Sequence, residues 1–569
     1  SGNGNNWTPN NFSVTAGAGN DSLVDSPTSY GTDTGAGGTV RGNYCTLNPL
    51  TTTTGTYSQG NLRYVGANQD KRPTGTISVS TGQWYWEVTL ATAPYSPRGP
   101  STLYNAFGFV LSTVFNSTTS PPVSTDALVL GDNGYYKNFS GAFTNGGVTF
   151  LSGDVLSVAV DLDANTFTFR VNNTSLATGT IGGTAGRELV PFIFSYNGDY
   201  GIMDCNFGQR PFAYTAPSGF KALCTQNLPT PTIGATTETQ AGKFFNPVTY
   251  SGDGGTRSIT GVGFQPDWVW IKSRSDAIDH ALYDVNRGAL KLLQSNLTSA
   301  EATYANSLTA FNTDGFSLGS ATDVNANNKT YVAWNWKANG AGSSNTAGSI
   351  TSTVSASTTS GFSVVTYTGT GANATVGHGL GVAPSMIISK SRSNALDWDV
   401  YHSALGPNYW LRLNSTIAAV NNSAMWRNVS PTSTVWSIGT DTENNTNGAT
   451  YVAYVFAQIA GFSAFGSYTG NGSADGVFVY TGFRPAYVLN KSSSTSGNEW
   501  NIHDDARSPN NVASQTLFAN TAGAEGGIEI DILSNGFKAR DTSANVNGSG
   551  VTYIFAAFAE TPFKFSLAR

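Results

Sequence analysis

The sequence predicts an all-β protein built from several sandwich domains in series, and three observations predict it. Short runs of β-branched and aromatic residues alternate with polar ones, as in Trp84-Tyr85-Trp86-Glu87-Val88-Thr89-Leu90, Leu156-Ser157-Val158-Ala159-Val160-Asp161-Leu162 and Thr166-Phe167-Thr168-Phe169-Arg170-Val171. Gly, Asn or Pro bounds each run, which is the strand signature. Helical periodicity is nearly missing, and only residues 279–296 could hold a helix of a few turns. Finally, the C-terminal half repeats itself three times.

A chain of 569 residues has room for roughly three to five domains. Charged residues make up only 11%, against roughly 25% in an ordinary soluble domain. Gly, Ser, Thr and Asn take their place, so neutral hydrogen-bonding side chains keep the surface wet. Aromatics at 12% and a net charge of −6 are the reverse of a disordered composition. There is no Lys/Arg cluster to contact nucleic acid and no run of 18 apolar residues to insert in a membrane. Cys45, Cys205 and Cys224 are widely spaced and odd in number, so neither a disulfide framework nor a zinc site is expected. The opening Ser1-Gly2-Asn3-Gly4-Asn5-Asn6 resembles neither a start nor a signal peptide and reads as the interior of a longer polypeptide.

In chain order, residues 1–75 are rich in Gly, Asn and Thr and read as an irregular lead-in. Residues 76–224 form the densest strand region. Residues 225–243 are a Thr/Pro-rich linker, and residues 338–360 a flexible Gly/Ser/Thr-rich one. The three repeats are assigned to residues 244–337, 361–460 and 461–569. Their shared signatures are Tyr250-Ser251-Gly252, Tyr367-Thr368-Gly369 and Tyr468-Thr469-Gly470; then Gly263-Phe264-Gln265-Pro266, Gly381-Val382-Ala383-Pro384 and Gly482-Phe483-Arg484-Pro485; then Lys272-Ser273, Lys390-Ser391 and Lys491-Ser492. Each closes on Thr330-Tyr331-Val332-Ala333, Thr450-Tyr451-Val452-Ala453 or Thr552-Tyr553-Ile554-Phe555. The steps from Pro266 to Pro384 to Pro485 are 118 and 101 residues, too long for a solenoid and right for a small β-sandwich domain.

Residues 76–220 resemble a SPRY domain. The resemblance is carried by Gly82-Gln83-Trp84-Tyr85-Trp86-Glu87-Val88, Gly108-Phe109-Val110, Gly153-Asp154-Val155-Leu156 and Asp161-Leu162-Asp163. It continues through Phe167-Thr168-Phe169, Asn172-Asn173, Glu188-Leu189-Val190-Pro191-Phe192, Asn206-Phe207-Gly208-Gln209 and Pro211-Phe212. It implies a bent β-sandwich whose loops bind partners, usually proteins, with no catalytic role. The loops expected to face a partner are 95–104, 132–136 and 196–200. Their candidate binding residues are Tyr95, Tyr104, Tyr135, Tyr136, Tyr196 and Tyr200, because Tyr offers large contact area and a polar tip. The alternative is that these rings cover the sandwich edges.

The rest of the chain resembles virion proteins of marine bacteriophages, especially tail-fibre or tail-associated proteins. The opening through Trp7-Thr8-Pro9-Asn10-Asn11-Phe12 looks like the end of a laminin-G-like domain lying upstream, and the triplicated units look like the C-terminal repeats of such proteins. This resemblance implies a virion appendage made in the host cytoplasm and carried on the extracellular particle.

Chemistry is sparse. His280, His378, His402 and His503 do not coincide between repeats: aligning Trp398-Asp399-Val400-Tyr401-His402 with Trp500-Asn501-Ile502-His503-Asp504 and His280-Ala281-Leu282-Tyr283-Asp284 puts His402 opposite Asp504 and Asp284. No shared catalytic His is expected. Candidate carboxylate pairs for glycoside hydrolysis are Asp161 with Asp163, Asp504 with Asp505, and Glu525 with Glu529. Residues 251–255, 441–448 and 471–476 supply turn oxygens of the kind calcium uses, without EF-hand spacing. No phosphate-cradling GxxxxGK[ST] occurs. The expectation is therefore a non-enzymatic tail fibre or receptor-binding appendage, without cofactor or metal. It would recognise a host surface glycan or protein receptor, contact other virion proteins and assemble as a homotrimer. The alternatives are a structural capsid or fibre spacer, a glycan depolymerase and a bacterial surface adhesin.

Overall fold

The computed structural model describes residues 43–51, 55–66, 72–92, 105–111, 127–139, 141–148, 150–182, 188–195, 202–229, 232–234 and 238–560. The protein is all-β: short one-turn helices and turns only join its strands. It divides into two compact units, Ser1–Thr230 with Phe563–Arg569, and Pro231–Pro562.

The first unit is a two-sheet sandwich. One sheet runs in the order Thr56–Ser58, Arg63–Val65, Met203–Asn206, Gln83–Leu90, Val155–Asp161, Thr166–Val171, Thr174–Thr180, with Lys221–Ala222 parallel to Gln83–Leu90. The other runs Leu189–Ser195, Asn105–Leu111, Ala127–Gly131, Tyr135–Lys137, Thr144–Asn145. The alternation in Gln83–Leu90 sets its packing. Trp84, Trp86, Val88 and Leu90 join a core with Phe107, Phe109, Leu128, Leu130 and Ile193. Trp86 lies edge-on to Phe107 at 5.3 Å and stacks on Phe207 at 5.0 Å. The opposite face is covered too: Phe212 meets Tyr85 at 4.9 Å, and buried Glu87 accepts from the backbone N–H groups of Ala213 and Tyr214. Two strands of this sheet come from the expected lead-in. Tyr64 and Arg63 pair with Met203 and Asp204, and Cys45, Leu47 and Tyr64 are fully buried. A few well-placed apolar residues suffice there, which a sparse composition hides. All three cysteines are buried and unbridged; burial pushes the Cys45 thiol up to about 12.

The second unit holds three pieces with one strand order. In repeat 1 the sheet is Phe245–Ser251, Thr330–Trp336, Trp268–Ser273, Ala281–Asp284. In repeat 2 it is Phe362–Thr368, Thr450–Phe456, Met386–Ser391, Trp398–His402, and in repeat 3 Ser463–Thr469, Thr552–Ala559, Pro485–Ser492, Trp500–Asp504. The first strand of each lies beside the last, so the ends of every repeat are paired: Tyr250 opposite Tyr331, Tyr367 opposite Tyr451, Tyr468 opposite Tyr553. One face of each sheet packs in the repeat's own layer. The other contributes to one core shared by all three repeats, which includes Trp268, Trp336, Phe362, Phe456, Tyr487 and Phe558. Trp268 of repeat 1 stacks on Tyr454 of repeat 2 at 4.1 Å, and Phe245 of repeat 1 lies 5.2 Å from Phe558 of repeat 3.

Two local expectations are corrected. Residues 279–296 contain the strands Ala281–Asp284 and Lys291–Leu292 in place of a helix. Ala281, Leu282 and Tyr283 are buried on both faces, and sheet burial overrides a helical pattern. Residues 338–360 are not a flexible linker: Ser343–Asn345 and Ser352–Ser357 extend the sheet of repeat 2, and Ile350 and Val354 are buried.

Candidate functional site

The recurring sequence signatures build one structural device three times. The Tyr of each Tyr-x-Gly stacks on the Tyr of the last strand, at 5.2, 5.1 and 4.9 Å. Its hydroxyl donates to the carbonyl of Val324, Asn444 or Val546. The Gly follows because the opposing loop is too close for a side chain: a Cβ on Gly252, Gly369 or Gly470 would lie 2.2–2.4 Å from the carbonyl oxygen of Ala326, Thr446 or Gly548.

The loops considered for calcium belong to the same device. The buried amide of Asn325 donates to Asp253 Oδ1 at 2.9 Å, Gly255 O at 2.7 Å and Gly319 O at 3.0 Å. Asn547 does the same to Asn471 Oδ1, Ser473 O and Asp541 O, and Asn445 to the carbonyls of Ala372 and Gly439. A side-chain N–H₂ group sits where clustered oxygens would otherwise need a cation. Among the described residues no three His, Cys, Asp or Glu are grouped to hold a metal ion.

The repeats meet at three seams built alike. An aromatic N–H at the start of the fourth strand donates to a carbonyl of the preceding repeat. Trp398 donates to Gln294 O at 2.9 Å, and Trp500 to Arg412 O at 2.8 Å. In repeat 1 His280 takes the Trp position, with Nε2 3.0 Å from Phe518 O. A backbone bond repeats beside it: Glu301 N to Arg392 O, Ala419 N to Ser493 O, and Glu525 N to Arg274 O. Repeat 2 thus packs on repeat 1, repeat 3 on repeat 2, and repeat 1 on repeat 3. A head-to-tail interface used three times closes a ring.

Charge is distributed unequally among these seams. Arg274 pairs with Glu525 at 2.7 Å, and Arg392 with Glu301 at 2.8 Å, whereas the third seam has Ser493 and Ala419 in those places. Fully buried Asp284 binds Arg287 and accepts from Tyr454 of repeat 2 at 2.9 Å. Fully buried Asp504 binds Arg507 and accepts from Trp334 of repeat 1 at 2.8 Å. At the third seam His402 replaces the Asp and bonds Phe555 O at 3.1 Å. The seam that lacks these ion pairs is also the one that the chain crosses directly, between the strands Thr450–Phe456 and Ser463–Thr469. A short tether gives a high effective concentration, so that seam has less need of ion pairs.

Three lysines complete the seams. Lys272, Lys390 and Lys491 are 0% exposed. Lys390 donates to Thr298 O of repeat 1 and Lys491 to Thr416 O of repeat 2. Lys272, Lys390 and Lys491 also reach the carbonyls of Ser273, Ser391 and Ser492. Burial, opposed by nearby carboxylates, lowers each ammonium to about 8.

All four histidines are buried, with a ring nitrogen facing a backbone carbonyl. A carbonyl only accepts, so the facing nitrogen carries the proton. Burial depresses His280 to about 3 and His402 and His503 to about 4. Most members of the carboxylate pairs are likewise engaged. Asp161 and Asp163 accept turn N–H groups, Asp504 binds Arg507, and Glu525 bridges Arg274 and Arg507. Burial, with Asp504 beside it, pushes Asp505 up to about 7.

Of the six candidate tyrosines, Tyr95, Tyr104, Tyr196 and Tyr200 lie outside the described residues. Tyr135 and Tyr136 are half-buried neighbours on the strand Tyr135–Lys137, and Tyr136 packs on the sandwich core, 6.5 Å from Phe167. The seam residues carry little local mark in the sequence. One signal was present: Asp-x-x-Arg recurs at Asp284–Arg287 and Asp504–Arg507.

Residues 240–562 match a family described as a domain of unknown function, DUF7483. A comparison with curated protein sequences found no match. Among solved structures, the SPRY domain of human HERC1 aligns over 28% of this chain and 96% of its own, at 13% identity and a TM-score of 0.23. The TRIM65 PSpry domain aligns over 29% of this chain and 92% of its own, at 15% identity and a TM-score of 0.23. Stonustoxin aligns over 29% of this chain and 27% of its own, at 18% identity and the same score. At such scores the fold of the first unit rests on its own sheets.

Proposed function

The chain belongs, over residues 240–562, to the DUF7483 family, and from that premise we propose that it is a non-enzymatic bacteriophage virion protein. In this reading it is a tail fibre or receptor-binding appendage that recognises the host cell surface. One observation carries the display-and-binding part. In the second unit several groups that chemistry would use are spent on holding the ring together. His280, His402, Asp284, Asp504, Glu301 and Glu525 all bond across or along the seams. What the ring offers to solvent is stapled polar loops, such as those at Asp253, Thr370 and Asn471. A rigid scaffold with polar loops suits weak contacts multiplied by avidity. The virion assignment rests on the resemblance of the repeats to phage appendage proteins.

The partners are a host surface glycan or protein receptor and other virion proteins, and the assembled appendage is taken as a homotrimer. Binding of the 569-residue chain to intact host cells and to purified surface polysaccharide tests the reading. Saturable binding supports it, and no binding to either sinks it in favour of a structural spacer. Release of reducing ends from the polysaccharide would replace it with a depolymerase. A single-chain mass in sedimentation equilibrium would remove the homotrimer.

A further inference from the structure

In repeat 2 one row of side chains crosses three neighbouring strands. Ser389 lies opposite Asp399, and Asp399 opposite Arg412. Directly opposed residues share a face of the sheet. The same row in repeat 3 is Asn490, Asn501 and Phe518, and in repeat 1 it begins with Ile271 and Ala281. Only repeat 2 places a carboxyl there. Asp399 is 0% exposed, and among the described residues none donates a hydrogen bond to either of its oxygens. Its counterpart Asn501 is a donor, giving its amide N–H to Asn545 O at 2.8 Å. A carboxylate only accepts, whereas a carboxylic acid has one O–H to give, as Asn does.

The surroundings favour the acid form. Ser389 faces Asp399 from the third strand, and Tyr367 and Tyr451 interact with it from the first and last strands. Glu443, in the one-turn helix Thr442–Asn445, and its N-cap Asp441 add negative charge, as does Asp397. Two cations stand near it, and both have other partners: Lys390 Nζ donates to the carbonyls of Thr298, Ser391 and Asn394, and Arg412 lies 2.9 Å from Asp397, 3.6 Å from Glu443, and 4.8 Å above the Trp410 ring. Burial above all, then the charges of Glu443 and Asp441, drives the Asp399 carboxyl far above the usual range, with Arg412 opposing.

We propose that Asp399 is kept as a neutral carboxylic acid, and that repeat 2 carries a proton-operated switch in which loss of that proton draws Arg412 away from Asp397 and Glu443. The step releases one proton to solvent and otherwise only exchanges ion-pair partners. It sits at a seam, because the neighbouring Trp398 anchors repeat 2 on Gln294 of repeat 1. The folded state binds a proton that the unfolded state has already lost. Stability is therefore fully present below the unfolded Asp value near 4 and falls as pH rises toward the folded value. The folding constant drops by up to about tenfold per pH unit across that window. The proposal is independent of the ligand that the protein recognises.

The test compares the full chain with D399N, which copies Asn501. At pH 7 the infrared difference spectrum is expected to show the carbonyl stretch of one un-ionised carboxylic acid in the wild type, and its absence overturns the neutral acid. Urea unfolding from pH 5 to 10 is expected to show the wild type losing ground to D399N as pH rises. A constant gap overturns the switch. In Arg412→Gln, which lacks the second partner, the loss is expected to continue to higher pH at the same slope; an unchanged profile removes Arg412 from the exchange. If D399N does not fold, pH titration of the wild-type infrared band still decides: Asp505 is lost near 7, so a band that has vanished entirely by pH 9 overturns the proposal.

Discussion

Asp284→Asn isolates one charge at the seam between repeats 1 and 2. Asp284 and Arg287 are both 0% exposed at the side chain, and the carboxylate also accepts from the Arg287 backbone N–H and the Tyr454 hydroxyl. Asn preserves shape and removes the counter-charge. Breaking a buried pair by removing one partner costs about 3–5 kcal/mol, because the remaining ion is left uncompensated. The guanidinium keeps its bonds to Lys291 O at 2.8 Å and Leu282 O at 2.9 Å, and Glu301 stands 3.5 Å away. These hold the expected loss near the lower end, about 3 kcal/mol, roughly a hundredfold in the folded-to-unfolded ratio. Urea unfolding followed by tryptophan fluorescence reads it directly, since Trp268 and Trp398 report on that seam. Adding Arg287→Met removes the stranded cation and should restore most of the stability, since an apolar replacement of a buried pair is often neutral. A D284N loss below about 1 kcal/mol, or a double variant no better than the single one, would refute the reasoning that this seam is held by a compensated buried charge.

Two further outcomes follow from the repeated elements. Each buried lysine has a folded value near 8 against 10.5 for the free side chain, so between those values the unfolded state holds the proton and stability rises with pH. Relative to Lys390→Met, the wild type should gain up to roughly 3 kcal/mol from pH 8 to 10.5 in urea midpoints, and parallel profiles would contradict it. Asn325→Ala removes three amide donations from a buried loop and should cost about 2–3 kcal/mol. Amide exchange at Gly252–Gly255 should accelerate with it, and unchanged protection there would mean that the amide is not the staple.

Much of the fold was legible because its causes are local. Alternation in Trp84–Leu90 marks a strand packed on both faces. The glycine of Tyr-x-Gly marks a place where another loop leaves no room for a Cβ. The Gly-x-x-Pro turn marks entry to an apolar strand. Residues 279–296 and 338–360 depart from expectation because short strands, in a Leu-rich stretch or a Gly/Ser/Thr-rich one, owe their form to the sheet beside them. The candidate site was less legible still. Arg274 and Glu525 lie 251 residues apart, and Trp334 and Asp504 170 apart, so no window of sequence joins them.

By itself the sequence determined that the protein is all-β, where its strands alternate, and that one unit recurs three times, since side-chain pattern and turn chemistry act over a few residues. Only the tertiary structure decided that the repeats share a core and close into a ring. That arrangement gives Lys272, Lys390 and Lys491 their buried places. These outcomes depend on which carbonyl, acid or ring each repeat presents to the next. Trp268, Trp336, Phe456 and Phe558 come together in one core through packing, not through the order in which they occur along the chain.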